Sequence, residues 1–284
     1  MKVNVELLVE ALPYIVEFKN SIIVVKYGGS VMLDDELKQS FCRDVVLLKH
    51  LGIHPVIVHG GGKKISEVME RLNKKPEFFK GQRVTDQETI EIVEMVLSGV
   101  INKEIVFNII RNGGKAVGIS GKDNFTIKAK KKFLEDNFDI GFVGDVERVD
   151  PYLILSLIND GFIPVVSPVG VDEKGNSYNI NADDVTAEIA VALKAKKAIY
   201  LTDVDGIYRD INDKSSLIST VTIKELEDLI NLGIVKEGMI PKAVSMIKAI
   251  ERGVEKVHIV NGKIKHSLLM EIFTDQGIGT QITI

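Results

Sequence analysis

The chain has 284 residues, 45% hydrophobic and 27% charged, the proportions of an ordinary globular protein long enough to bury a large core. With 36 Lys and Arg against 40 Asp and Glu, the net charge of −4 argues against nucleic acid as a partner, because binding it needs a basic face to displace counterions. A single cysteine, Cys42, excludes an intrachain disulfide, and five histidines show no zinc-type spacing.

In chain order, the segment VNVELLVEALPYIVEF places Val5, Leu8, Val9, Leu12, Ile15 and Val16 on one helical face, and Pro13 in its interior is expected to bend the helix. Glu6, Glu10 and Glu17 interrupt the apolar stretch that a signal peptide needs. No run reaches the roughly 18 apolar residues of a membrane span, so a cytoplasmic protein is expected. SIIVVKY (21–27), HPVIVH (54–59), KAVGIS (115–120), FIPVVSPV (162–169), KAIYLTDV (197–204) and KVHIVNG (256–262) read as strands buried on both faces. Helical patterns lie between them over 34–51, 64–73, 86–111, 182–195, 222–232 and 241–252, the first holding Cys42 as a buried, inert thiol. TIKAKKKF (126–133) and GDVERV (144–149) look like an exposed antiparallel hairpin. The alternation predicts an α/β fold: an open, mainly parallel sheet sandwiched by helices. With no Pro-, Gly- or Ser-rich linker, two lobes on one continuous sheet are expected, 21–180 and 181–284, behind an N-terminal helix over 1–20.

Glycines cluster where strands end and helices begin, in KYGGS (Gly28, Gly29) and HGGGKK (Gly60, Gly61, Gly62). Ligands of open α/β sheets gather at these carboxyl ends, where glycine lets the backbone approach an anion and a helix N-terminus offers amides. Any strand-to-helix turn can contain Gly, so the pairs alone decide little. HGGG also resembles the oxyanion loop of lipases, but no G-x-S-x-G nucleophile turn accompanies it. Neither a P-loop nor a G-x-G-x-x-G fingerprint occurs. Lys26 ends a strand of Ile and Val, where a charge is costly unless it meets an anion. Lys242 follows Pro241 at a helix start, where the dipole opposes a cation; a solvated lysine is the plain alternative. SYNINADDVTAEIAVAL opens a helix with Asn181 or Asp183 available as its cap, and LTDVDG (201–206) ends a strand with acidic and glycine residues.

KYGGS, VHGGG, FKGQRVTD, NKEIV, GISGKD, SYNINADD, LTDVDGIY and GMIPK, in this order from about residue 21 to the last, resemble the amino-acid kinase family and, within it, its acetylglutamate kinases. Lys63 and Val100 depart from that pattern without replacing a residue given a chemical role. The resemblance implies ATP, carrying Mg2+, as phosphoryl donor and N-acetyl-L-glutamate as acceptor. It implies Lys26 and Lys242 as neutralisers of charge on the moving phosphoryl group, Asp183 as their organiser, and Gly29 and Gly62 as amide donors. Gly61, Gly62, Arg83 and Asn179 would hold the carboxylate substrate. Asp203, Val204, Asp205, Gly206, Ile207 and Tyr208, with Ile234, Val235 and Lys236, would hold the nucleotide.

Arginine-inhibited members are similar at both ends, in the bent N-terminal helix and the tail HSLLMEIFTDQGIGT. This implies a homohexamer built as a trimer of dimers, with L-arginine bound by Tyr14, Lys197, His266, Glu271 and Gly277. The rivals are aspartate, glutamate, uridylate or carbamate kinases, and a non-catalytic ligand sensor on the same fold. Arg83 in QRVTD and Asn179 in YNINAD favour acetylglutamate, and a sensor is expected to lose one of Lys26, Asp183 or Lys242.

Overall fold

The computed structural model describes residues 5–134, 138–236, 238–274 and 277–284, with the backbone alone for 5–8 and 30. The chain divides into two compact units, Met1–Pro55 with Lys194–Ile284, and Val56–Leu193.

In the first unit, β-branched runs form the parallel strands Ile22–Tyr27, Lys197–Thr202 and Lys256–Asn261, and Ile23, Val24, Val25, Ile199 and Ile259 are wholly buried. Two short strands extend this sheet. Thr280–Thr283 runs antiparallel to Lys256–Asn261, and Thr220–Thr222 lies parallel to it on the far side. Neither is predicted, because three or four residues dominated by Thr carry no readable period. Helix Asp35–His50 starts where Asp34 accepts from the amides of Glu36 and Leu37 at 2.9 and 3.0 Å, and it buries Phe41, stacked on Tyr27, and Cys42. Helix Ile223–Asn231 opens with a Thr222–Glu225 capping box, and Ile240–Glu251 opens with Pro241 in its first turn. The N-terminal helix Val5–Phe18 packs on the helix Ser267–Phe273. It buries Phe18 while Val9, Leu12 and Val16 stay exposed; of the expected apolar face, the side chains of Val5 and Leu8 lie outside the described residues.

In the second unit, the strand His54–His59 (from Val56 onward) and the strands Ile163–Ser167 and Ala116–Ser120, parallel to one another, carry the helices Gly62–Arg71, Gln87–Glu94 and Asn102–Arg111. The last two are joined by a π-helical segment, Met95–Ile101, inside what the sequence pattern predicts as one α-helix. The predicted strand 162–169 is split: Pro168 lacks an N–H to continue the ladder, and Val169–Val171 passes into a different sheet.

That second sheet corrects the expectation of an exposed hairpin. Ile127–Phe133 and Asp139–Val149 pair antiparallel, but Val169–Val171 and Ser177–Asn179 close them into a four-stranded barrel that buries Ile127, Ala129, Ile140 and Val143. The lysine-rich run hides an alternation of apolar residues pointing inward. The α/β class with a mainly parallel sheet flanked by helices holds. Among the described residues, no helix is long and apolar enough to cross a membrane.

Candidate active site

The HGGG turn connects strand His54–His59 to helix Gly62–Arg71, whose N-cap, Gly61, makes no side-chain cap hydrogen bond. The first-turn amides therefore lack a side-chain cap, the condition in which a helix end accepts an anion. Gly61 is glycine for space, not for backbone freedom. Its φ of 168° is extended, but a Cβ would stand 2.4 Å from Ile101 Cδ1 and 2.6 Å from Leu97 Cδ2. At Gly62 a Cβ would meet nothing within 4 Å.

Arg83 ends a two-stranded ribbon, Phe78–Phe79 with Gln82–Arg83, and is 7% exposed. Its Nη2 donates to the Gly62 carbonyl and to Ser66 Oγ, both at 2.9 Å, and the guanidinium lies 4.7 Å from the centre of the Phe78 ring. Burial lowers its pKa from the usual arginine value, yet a guanidinium held this way keeps its charge for an anionic ligand. Asn179 ends strand Ser177–Asn179, its amide only loosely held at 3.5 Å from Thr85 Oγ1. Gly61, Gly62, Arg83 and Asn179, all expected for the carboxylate substrate, line one cavity of about 250 Å³. Asp183 sits in the first turn of helix Ala182–Ala192 and is 4% exposed. Asn181 takes the capping role, accepting from the Asp183 amide at 2.8 Å, which settles the choice the sequence left open.

In the first unit, Lys26 lies in register with Tyr200 and is 8% exposed. Its ammonium folds back over the following turn: a Cβ on Gly28 would stand 2.7 Å from Lys26 Nζ. Gly29 is required twice over, by a φ of +77° and by the Asp203 carboxylate, 2.9 Å from where a Cβ would be. Lys242 is half-buried in the first turn of helix Ile240–Glu251.

The loop after strand Lys197–Thr202 is braced from within. Thr280 Oγ1 accepts from the Ile207 amide at 2.8 Å and leaves no room for a side chain at Gly206. Asp205 accepts from the Tyr208 hydroxyl and from Asn261 Nδ2, both at 2.6 Å. These bonds hold the Asp205 carboxyl below its usual range and push the Tyr208 phenol up to about 12. Val204 is exposed, Val235 buried, Ile234 half-buried and Lys236 exposed.

Of the residues expected around an effector, Lys197 and Glu271 are both buried. Desolvation lowers the Lys197 ammonium to about 8, partly offset by the Glu271 charge. Glu271 is already engaged: Oε1 lies 2.5 Å from His258 Nδ1, and Oε2 accepts from the amides of Ile278 and Gly279 at 2.8 and 3.1 Å. Gly277, at φ +59°, passes so close that a Cβ would be 2.7 Å from Glu271 Oε2. His266 adopts a left-handed conformation and pairs with the buried Asp44 at 2.6 Å, while Tyr14 is half-buried. Sequence patterns gave no sign of His258 or Asp44, which act here through contacts distant in the chain.

Parallel strands that end in glycine turns, one turn beside a buried lysine and the other opening a cavity with a buried arginine, define equipment for handling phosphoryl groups and carboxylates. The profile of the Amino acid kinase family matches residues 21–261, and the chain belongs to that family and is a kinase. It is 54% identical over 285 residues to the acetylglutamate kinase of Carboxydothermus hydrogenoformans, covering 98% of this chain and 97% of that one. It is 53% identical over 286 residues to the acetylglutamate kinase of Archaeoglobus fulgidus, covering 98% and 99%. Among solved structures, N-acetylglutamate synthase from Neisseria gonorrhoeae, complexed with coenzyme A and N-acetyl-glutamate, matches with a TM-score of 0.88 at 26% identity. That match covers 100% of this chain and 64% of the synthase chain. Carbamate kinase of Giardia, at 14% identity and a TM-score of 0.68, shares the fold.

Proposed function

We propose that the protein transfers the γ-phosphoryl group of ATP to the side-chain carboxylate of N-acetyl-L-glutamate, as a cytoplasmic enzyme of arginine biosynthesis. The observation that carries this is the cavity in which Gly61, Gly62, Arg83 and Asn179 converge, in a chain 54% identical to an acetylglutamate kinase. A carboxylate is ionised at neutral pH, so it attacks phosphorus without a general base. Its oxygen bonds to the γ-phosphorus as the bond to the β,γ-bridging oxygen breaks, giving an acyl phosphate and ADP. The obstacle is mutual repulsion of anions, and the remedy is positioning and fixed positive charge. Lys26, Lys242 and the amides of Gly29 and Gly62 supply that charge in this reading, with Asp183 ordering the ammonium groups. The loop 203–208 and Ile234–Lys236 take the nucleotide, and magnesium arrives as part of that substrate. By these assignments the acceptor is held within residues 21–180 and ATP within 181–284.

Arg83→Lys tests the acceptor assignment. It keeps the charge but loses the planar fork, so KM for acetylglutamate is expected to rise about 10-fold or more while KM for ATP barely moves. Equal damage to both would place Arg83 outside the acceptor site.

Regulation is the second part of this reading: a hexamer joined through the N-terminal helix and inhibited by L-arginine. Its support is the apolar face of Val9, Leu12 and Val16, 63%, 55% and 68% exposed, together with two buried charges beside that helix: Lys197, whose ammonium lies 4.5 Å from the centre of the Phe18 ring, and Glu271, on the helix Ser267–Phe273 against which it packs. Deleting residues 1–17 is expected to leave an active dimer with little arginine response. Full-length protein that is dimeric by light scattering and indifferent to millimolar arginine would end the regulatory part alone.

A further inference from the structure

His59 and Asn102 are both wholly buried, one at the end of the strand that feeds the HGGG turn, the other where the π-helical segment Met95–Ile101 returns to α-helix. Asn102 Nδ2 donates to the Val165 carbonyl at 2.9 Å and lies 3.3 Å from His59 Nε2 and 3.4 Å from the Ile119 carbonyl. Lys103 Nζ donates to Asn102 Oδ1 at 3.2 Å and to the Gly118 carbonyl at 2.9 Å. Turning the amide over would set its oxygen against two carbonyls and its NH2 against an ammonium, so its orientation is fixed. Room for it exists only because residue 118 is glycine, where a Cβ would stand 1.7 Å from Asn102 Oδ1.

The fixed amide also fixes the imidazole. An NH2 group can only donate, so Nε2 accepts; His59 Nδ1, 2.9 Å from the Gly60 carbonyl, must then carry the proton and donate it. One neutral tautomer satisfies both contacts. The Gly60 carbonyl and the Gly61 N–H belong to one planar peptide unit, so holding the oxygen sets the direction of the N–H. Leu97 and Ile101, from the same π-helical segment, close on Gly61 where a side chain would stand. A π-helical turn in mid-helix is a common mark of a functional site.

We propose that His59 and Asn102 are positioning residues for the HGGG turn: Asn102 selects the Nδ1–H tautomer of His59, which pins the Gly60 carbonyl and so orients the Gly61 amide at the cavity. The link touches no substrate, and it rests on the reading that Gly61 and Gly62 serve the phosphoryl acceptor. Burial lowers the His59 ring to about 4, with the Lys103 charge adding to the effect, so the neutral form persists at physiological pH.

The test uses the full chain and three proteins: wild type, Asn102→Leu, and Ile105→Ala, which removes buried volume one turn further along the same helix. Kinetics are measured with N-acetyl-L-glutamate and ATP well below every Tm, and the imidazole tautomer of His59 is read by 15N NMR. Asn102→Leu is expected to lower kcat/KM for acetylglutamate about 10- to 100-fold, with KM for ATP within about twofold and the single-tautomer signal lost. Ile105→Ala is expected to lower Tm with kcat/KM within about threefold of wild type. The inference is overturned if Asn102→Leu stays within about threefold of wild type, or if Ile105→Ala at equal Tm loses as much activity. It is overturned equally if wild-type His59 carries its proton on Nε2, a result that needs no variant to fold. Should wild type fail to phosphorylate acetylglutamate, the substrate reading falls. The tautomer then decides the inference: Nδ1–H supports the lock and Nε2–H rejects it.

Discussion

Replacing Lys26 with alanine is expected to lower kcat about 10²- to 10³-fold while changing KM for either substrate far less. Lys26 is 8% exposed on a strand whose neighbours Val24 and Val25 are wholly buried, a position where an ammonium is expensive to desolvate. Such a charge persists where it meets negative charge, and Gly28 keeps open the space that the ammonium occupies. Charge on the transferring oxygens grows as the phosphoryl group leaves ADP, so a lysine aimed at it acts on the transition state more than on the bound ground state. Lys242→Ala is expected to act in the same direction. Near-normal turnover in Lys26→Ala would remove it from the catalytic assignment.

Gly61→Ala and Gly62→Ala are expected to part ways, and the difference is the informative result. At Gly61 the new methyl would collide with Ile101 and Leu97, side chains 5% and 2% exposed that cannot simply swing away. Overpacking of this kind costs about 1–3 kcal/mol and moves the turn. A displacement of about 1 Å is enough to lose about 10²-fold in rate. Gly61→Ala is therefore expected to lower both Tm and kcat/KM. At Gly62 a methyl meets nothing within 4 Å beyond its own helix backbone and chain neighbours, but stands at the wall of the cavity. Tm is expected to hold while KM for acetylglutamate rises about 10-fold or more. A fully active Gly62→Ala would mean that the open space beside residue 62 is not where the acceptor lies.

Much of this architecture is legible without coordinates because its central strands are extreme. IIVV and VIV runs, ending in Lys-Tyr-Gly-Gly and His-Gly-Gly-Gly, announce buried parallel strands and the ends where ligands gather. The helices over 35–50, 223–231 and 240–251 carry their caps or their proline in the sequence itself. What stays hidden depends on partners distant in the chain. The barrel needs Val169–Val171 and Ser177–Asn179 to find Ile127–Phe133 and Asp139–Val149, and no local period records such pairing. The helix Tyr152–Asn159 is apolar on nearly every side and so shows no stripe.

At the site, Gly61, Gly62, Arg83 and Asn179 could be named from motifs, but their convergence on one cavity is a property of the fold. Glu271 is a similar case. Its charge suggested a partner for a guanidinium, and only the fold shows that its oxygens also meet His258 and two backbone amides. Asn102 was in plain view within NKEIV, but only its three-dimensional neighbours, His59, Val165 and Gly118, give the amide a task.

The most direct measurement is a coupled assay of ADP release by the full-length protein with ATP, offering N-acetyl-L-glutamate beside L-glutamate, L-aspartate, carbamate and UMP. Turnover with N-acetyl-L-glutamate at about 1 s⁻¹ or faster is expected, with the other acceptors at least about 100-fold poorer in kcat/KM. Turnover with another acceptor and none with N-acetyl-L-glutamate would contradict the account at its centre.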